Sequence, residues 1–242
     1  MLRALWKGKT PVSIHGTAGW RPHRRFGADL FRLGIPAAIE SVLIEGGFTA
    51  LVAIVATIGT EALTAQQISF TAMNLGFLPA VGFSVTATAL VGQSVGARSV
   101  DDAVKAMSIA RRLALFWMFG GALLYASVPR QIVDFFSDDE KVLDYGVRGL
   151  TTIGISLPLW ALWMVSAGAL RGSGDTRGPM IRGVTTVWTA VALAWIGVRF
   201  FDLGISWVWA TFIITAPISA IGNAIAFKRR MRMLGAEFDH HP

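Results

Sequence analysis

From Ala62 to Val95 the chain runs for 34 residues without one charged side chain. Wound as a single helix at 1.5 Å per residue, that stretch would be about 50 Å long. The hydrocarbon core of a bilayer is roughly 30 Å thick, so the segment overshoots a membrane and must tilt, or bend near Pro79. A water-soluble interior does not require an uncharged run of that length. Five more apolar runs accompany it: Leu33–Ile58, Leu113–Pro129 with its extension through Ile132–Phe136, Gly149–Leu170, Gly183–Val198 and Gly204–Phe227. Charged residues make up 15% of the chain and hydrophobic ones 53%, with a mean hydropathy of +0.55. A soluble chain needs roughly a quarter of its residues charged. The sequence therefore predicts an all-α, polytopic transmembrane bundle of about six spans embedded in a lipid bilayer. Residues 1–32 form a cytoplasmic segment, 33–227 the spans, and 228–242 a basic cytoplasmic tail.

The net charge of +7 raises nucleic acid as a partner, and the placement of the charge argues against it. Lys and Arg gather in the segments between apolar runs, with no basic helix interleaved with stacking aromatics. Counted by connection, 18 Lys/Arg fall at the N-terminus, the second and fourth connections and the tail, against 4 in the first, third and fifth. The positive-inside rule then puts both termini in the cytoplasm, as an even number of spans requires. Residues 1–32 carry seven Lys/Arg and no apolar h-region, so they do not read as a signal peptide. The chain has no cysteine, which excludes disulfides and thiolate metal sites. Tryptophans near span ends (Trp20, Trp160, Trp207, Trp209) suit headgroup anchoring, with a core position as the alternative. Ser99, followed by Asp101 and Asp102, reads as an N-cap opening a short helix that lies on the membrane before the third span. The stretch Ser137-Asp138-Asp139-Glu140 reads as a solvated loop.

Ionisable groups in a bilayer interior cost roughly 2.5–3.5 kcal/mol on insertion scales, which singles out Glu40 and Glu45 in the first span. Each should face a protein interior or a watery cavity. There it can carry a proton across, pair with a cationic substrate, or simply hydrogen-bond a neighbouring helix. Five positions apart, the two lie about 140° from each other around a helix, so separate surroundings are expected. Gln66, Gln67, Asn74 and Asn223 are polar residues in or near spans, suited to helix packing or to a ligand. Gly92/Gly96 and Gly168/Gly172 have the small-xxx-small spacing of close helix contacts. The four histidines (His15, His23, His240, His241) lie in the polar ends without metal-ligand spacing. No nucleophile–base set or phosphate loop is visible, so an enzyme is not expected.

Two stretches carry a resemblance. The first comprises Gly34-Ile35-Pro36-Ala37-Ala38-Ile39-Glu40, Ala65-Gln66-Gln67-Ile68, Phe77-Leu78-Pro79 and Leu90-Val91-Gly92-Gln93-Ser94-Val95-Gly96-Ala97. The second, more specific, runs Gly168-Ala169-Leu170-Arg171-Gly172-Ser173-Gly174-Asp175-Thr176-Arg177-Gly178-Pro179-Met180. Both resemble the multidrug and toxic compound extrusion (MATE) family, whose members have twelve spans in two six-helix lobes and exchange Na⁺ or H⁺ for organic cations. The spans match the seventh to twelfth, and residues 1–32 resemble the linker between lobes. The resemblance implies half of a cation-coupled antiporter in the bacterial inner membrane, working with a first-lobe chain or a second copy, without a cofactor. Its candidate substrate or coupling-cation residues are Glu40, Glu45, Gln66 and Gln67. The chain departs from the Na⁺-coupled pattern, with Ile44 where an acid stands eight residues after the proline and Trp160 where an aspartate stands in the tenth span. In the proton-coupled branch the coupling acids resemble first-lobe residues, so the coupling ion stays open between H⁺ and Na⁺. Two alternatives are a membrane fragment with no transport of its own and a flippase of lipid-linked substrates, which would want cations in its cavity. Reporter fusions at Asp138 and at Arg232 are expected to fall on opposite faces of the membrane, and a shared face would break this topology.

Overall fold

Inside hydrocarbon, every backbone N–H and C=O must be satisfied by the protein itself, and a run of about 20 apolar residues does this within one segment by forming a helix. The computed structural model describes residues 24–240 and follows that rule. Its helices are α1 (Arg24–Ala56), α2 (Thr60–Gly96), α3 (Val100–Ser127), α4 (Pro129–Asp134), α5 (Glu140–Gly172), α6 (Arg177–Phe201) and α7 (Ile205–His240). All but α4 contain a segment long and apolar enough to cross a membrane, giving six spans. The chain divides into two units, Met1–Ala38 and Ile39–Pro242, and every contact described below lies within the second. Residues 1–23, with Trp20, His15 and His23, and the final pair with His241, lie outside the described residues.

Several helices exceed the apolar runs that announce them. Arg24–Arg32 already belongs to α1, and α7 continues through Lys228, Arg229, Arg230 and Arg232 to His240. Apolarity marks where lipid begins and ends; Lys and Arg are good helix formers, so the helix does not stop there. The same reason corrects the third span. Ser99 does cap it, its hydroxyl accepting from the Asp102 backbone N–H at 3.3 Å, but no separate surface helix precedes the span. Val100–Ser127 is one continuous helix, since no glycine or proline interrupts it before Gly120. Pro79 sits inside an unbroken α2. The acidic stretch has a structural member, because the Asp139 carboxylate caps α5, accepting from the N–H groups of Lys141 at 2.8 Å and Val142 at 3.3 Å.

The bundle carries large apolar groups outside and small ones between helices. Phe116, Phe135, Phe200 and Ile218 stand exposed, while Ala80, Ala87, Ala114, Ala161 and Ala190 are buried. That is the pattern of helices packed within lipid, where the exterior is as apolar as the core and close backbone approach does the holding. α5 is central, with 72% of its apolar window buried against 22% for α2 and for α3. Two tryptophans expected at headgroup level, Trp160 and Trp209, are buried inside the core instead. Trp207 is half-buried, its indole N–H donating to the Leu193 carbonyl at 2.9 Å.

The tightest contact joins α5 to α2. The Ser84 hydroxyl donates to the Met164 carbonyl at 2.8 Å, and the Thr88 hydroxyl to the Gly168 carbonyl at 2.9 Å. Side chains spaced by four on each helix thus face each other across the seam. A Cβ at Gly168 would come within 2.4 Å of the Ser84 carbonyl oxygen, and one at Gly172 within 2.3 Å of the Thr88 carbonyl oxygen. Gly92 lies against Gly172 in the same seam, whereas Gly96 has open space beside it. Polar groups also join α6 to α7. Asn223 Oδ1 accepts from Arg182 Nε at 2.5 Å, the Thr186 and Ser219 hydroxyls are hydrogen-bonded, and the Ser219 hydroxyl also contacts the Arg182 carbonyl oxygen at 2.8 Å. Gly172→Ala is expected to lower the unfolding temperature in detergent by the equivalent of about 1–3 kcal/mol of overpacking. Gly96→Ala should leave it unchanged or raise it; equal losses for both would show that the seam is not the tight contact.

Candidate functional site

α1, α2 and α5 enclose a cavity of about 500 Å³. Glu40, Ile44 and Phe48 reach it from α1 at a spacing of four, one stripe of a helix, with Glu45 on the adjoining flank. Both glutamates therefore line one cavity. The expectation of separate surroundings is corrected, because the opening is wide enough to reach around the side of α1.

The two carboxylates have different partners. Glu40 is 8% exposed, and its Oε1 accepts from Arg171 Nη2 at 2.6 Å. This charge-assisted bond joins the first span to the end of α5 across 131 positions of sequence. The pair removes the cost of an isolated buried carboxylate. Glu45 is exposed to the cavity side and forms no ion pair among the described residues. Among the described residues, the one carboxylate on the cavity wall without an ion pair is thus its own.

Aromatic rings make up much of the remaining wall. Phe48, Phe70, Phe77, Trp160 and Trp163 all line it, with Asn74 as a neutral polar group. Trp160 is their hub, its ring centroid 6.1 Å from that of Phe48, 5.4 Å from Phe77 and 4.9 Å from Trp163. Phe212 of α7 stands behind it at 5.1 Å. Rings at these separations support one another, and their faces attract a cation. A free carboxylate among aromatic faces is an environment for an organic cation.

The other sequence candidates lie elsewhere. Gln66 is buried away from the cavity and its Oε1 has no hydrogen-bond partner among the described residues. Gln67 is exposed, its backbone carbonyl accepting from the Thr71 hydroxyl at 2.9 Å. The sequence places Arg171 among the cytoplasmic cations and does not mark it as a site residue. Its signal was its place directly after the apolar run ending at Leu170, where a lone acid in another span requires a countercharge. The motif that follows serves to turn the chain. Gly174 adopts a left-handed φ of +88°, which favours glycine, and the Asp175 carboxylate accepts from the Gly178 N–H at 2.9 Å at the start of α6.

Comparison with known proteins fits this architecture. The MatE family profile matches residues 36–196. A probable multidrug resistance protein NorM from Thermotoga maritima is 28% identical over 186 residues, covering 76% of this chain and 40% of that protein. The protein of the same description from Rhodopseudomonas palustris is 32% identical over 220 residues, covering 86% and 46%. A solved multidrug resistance MATE family transporter of the MOP superfamily, in an outward-facing conformation, superposes with a TM-score of 0.85. It is 20% identical, and the match covers 96% of this chain and 52% of that one. At that identity the likeness is one of fold, and the chain spans about half the length of the proteins it matches. With the profile running from the first span into α6 and the helices superposing on one half of a MATE transporter, this integral membrane protein belongs to the MatE family.

Proposed function

We propose that the chain is one lobe of an antiporter that exports organic cations across the bacterial inner membrane in exchange for H⁺ or Na⁺. The observation that carries this reading is the unpaired Glu45 carboxylate on an aromatic cavity wall whose other carboxylate is held by Arg171. A cation entering between Phe48, Phe77 and Trp160 gains cation–π attraction of about 0.5–2 kcal/mol and meets a charge that no protein group has cancelled. Ile44 and Trp160 stand where the Na⁺-coupled pattern has acids, so coupling through those two positions is not proposed. Glu45, one residue on from Ile44, serves as the exchange point for substrate and coupling ion. Nothing here calls for catalytic chemistry, and the protein acts as a carrier.

Alternating access requires a second body to rock against, with the site between them. The working unit proposed is therefore this lobe with a first-lobe chain or a second copy of itself. A flippase of lipid-linked substrates gains no support, since the cation on this wall, Arg171, is engaged by Glu40.

Purification from native membranes in mild detergent should bring down a second six-span chain or a second copy. The assembly, reconstituted in vesicles, should expel a fluorescent organic cation such as ethidium when an H⁺ or Na⁺ gradient is applied. Glu45→Gln is expected to slow that efflux by roughly tenfold, the loss of one charged contact, with Glu45→Asp retaining part of it. Unchanged efflux in Glu45→Gln would remove Glu45 from the mechanism. A solitary monomer without gradient-driven efflux would favour a membrane fragment that does not transport.

A further inference from the structure

At the end of the bundle where α3 begins and α7 ends, Val100 lies beside Gly235, and further along α3 Met107 and Arg111 share a groove with Ala224 and Phe227, earlier in α7, so the two helices run antiparallel. The groove between them measures about 490 Å³. Its floor is apolar, formed by Met107, Phe227 and Met231, which are buried in a small core shared with α2 and α5. Its rim carries Arg111 from α3 with Lys228 and Arg232 from α7, the latter two spaced by four and so on one face. Among the described residues no carboxylate lines the groove and none of the three cations forms an ion pair.

The depth of this site matters. The third apolar run begins at Leu113 and the last ends at Phe227, so Arg111 and Lys228 stand just outside the hydrocarbon, where headgroups lie. By the distribution of Lys and Arg, this is the cytoplasmic side. Three uncompensated cations above an apolar floor at headgroup level match a ligand with an anionic head and a hydrocarbon tail. We infer that this groove binds an anionic phospholipid of the cytoplasmic leaflet, its phosphate held by Arg111, Lys228 and Arg232 and its acyl chain laid over Met107 and Phe227. Basic pockets between helices on this side are suited to such lipids. A free anion would leave the apolar floor unused, and a zwitterionic lipid would leave the cationic rim partly unanswered. The bound lipid would fasten α3 to α7, which touch each other only slightly. The inference is independent of what the protein transports.

The test titrates the full chain, purified in a neutral detergent, with phosphatidylglycerol, phosphatidylcholine or inorganic phosphate. Retained lipid is read by native mass spectrometry, and stability by the unfolding temperature. Phosphatidylglycerol should be retained and raise the unfolding temperature, with the other two doing neither. Combining Arg111→Gln, Lys228→Gln and Arg232→Gln should weaken its binding by roughly a hundredfold, at about fivefold per cation. The charge-preserving pair Arg111→Lys and Arg232→Lys should bind within about twofold of the parent. Lys141→Gln with Arg148→Gln, on the other side, should change nothing. Should the triple variant fail to fold, the parent protein still decides, because phosphatidylglycerol retention must fall in about 0.5 M salt as headgroup contacts are screened. Equal retention of phosphatidylcholine, the same stabilisation by inorganic phosphate, or retention indifferent to salt would each overturn the site.

Discussion

A carboxylate in an apolar helix needs compensation from within the protein, and here Arg171 supplies it. Insertion of an acid at the centre of a span costs roughly 2.5–3.5 kcal/mol, a sizeable fraction of a domain's net stability. The 2.6 Å contact between Glu40 and Arg171 offsets that cost and fixes α1 against the end of α5. It also decides the electrostatics of the cavity. With Glu40 engaged, Glu45 is left as the carboxylate on the cavity wall without an ion pair among the described residues, and the proposed preference for a cation rests on that difference.

That pair can form only if α5 lies where its end meets α1, and the small-residue seam with α2 sets this position. Gly168 and Gly172 admit the backbone of α2 at Ser84 and Thr88, and the two hydroxyls lock the register with bonds to carbonyls of α5. Other residues of α5 then face the cavity: Trp160, Trp163, Met164 and Ala167 before Gly168, with Arg171 at its end. Close packing on one face of α5 and an open aromatic chamber on another are thus two results of the same helix placement. Large side chains kept out of the seam are gathered in the chamber.

Much of this was legible in the sequence, and the failures have physical causes. The six spans follow from uncharged runs whose only stable form in lipid is a helix, and the Ser99 cap follows from local hydrogen-bond chemistry. Helix ends were less legible, as at Arg24 and beyond Phe227, because hydropathy reports immersion and the backbone can stay helical in water. Glu40 and Glu45 stood out by their cost. Their shared cavity is not legible from the roughly 140° between them, because a cavity can reach more than one face of a helix. Arg171 was hidden because its partner lies 131 positions away, a pairing that local sequence does not encode. Trp160 and Trp209 look like interfacial anchors by composition, and only the packing around Phe212 and Phe70 reveals them as interior.

The central claim, that Glu40 and Arg171 act as a unit, is tested most directly by a double-mutant cycle on thermal unfolding of the full chain in detergent. Glu40→Gln and Arg171→Gln should each lower the unfolding temperature, and the double variant should fall no further than the worse single one. The implied coupling is about 1–2 kcal/mol, the lower end for a charged pair because the Arg171 side chain is 38% exposed. Strictly additive losses, or single variants as stable as the parent, would mean that the two residues do not depend on each other.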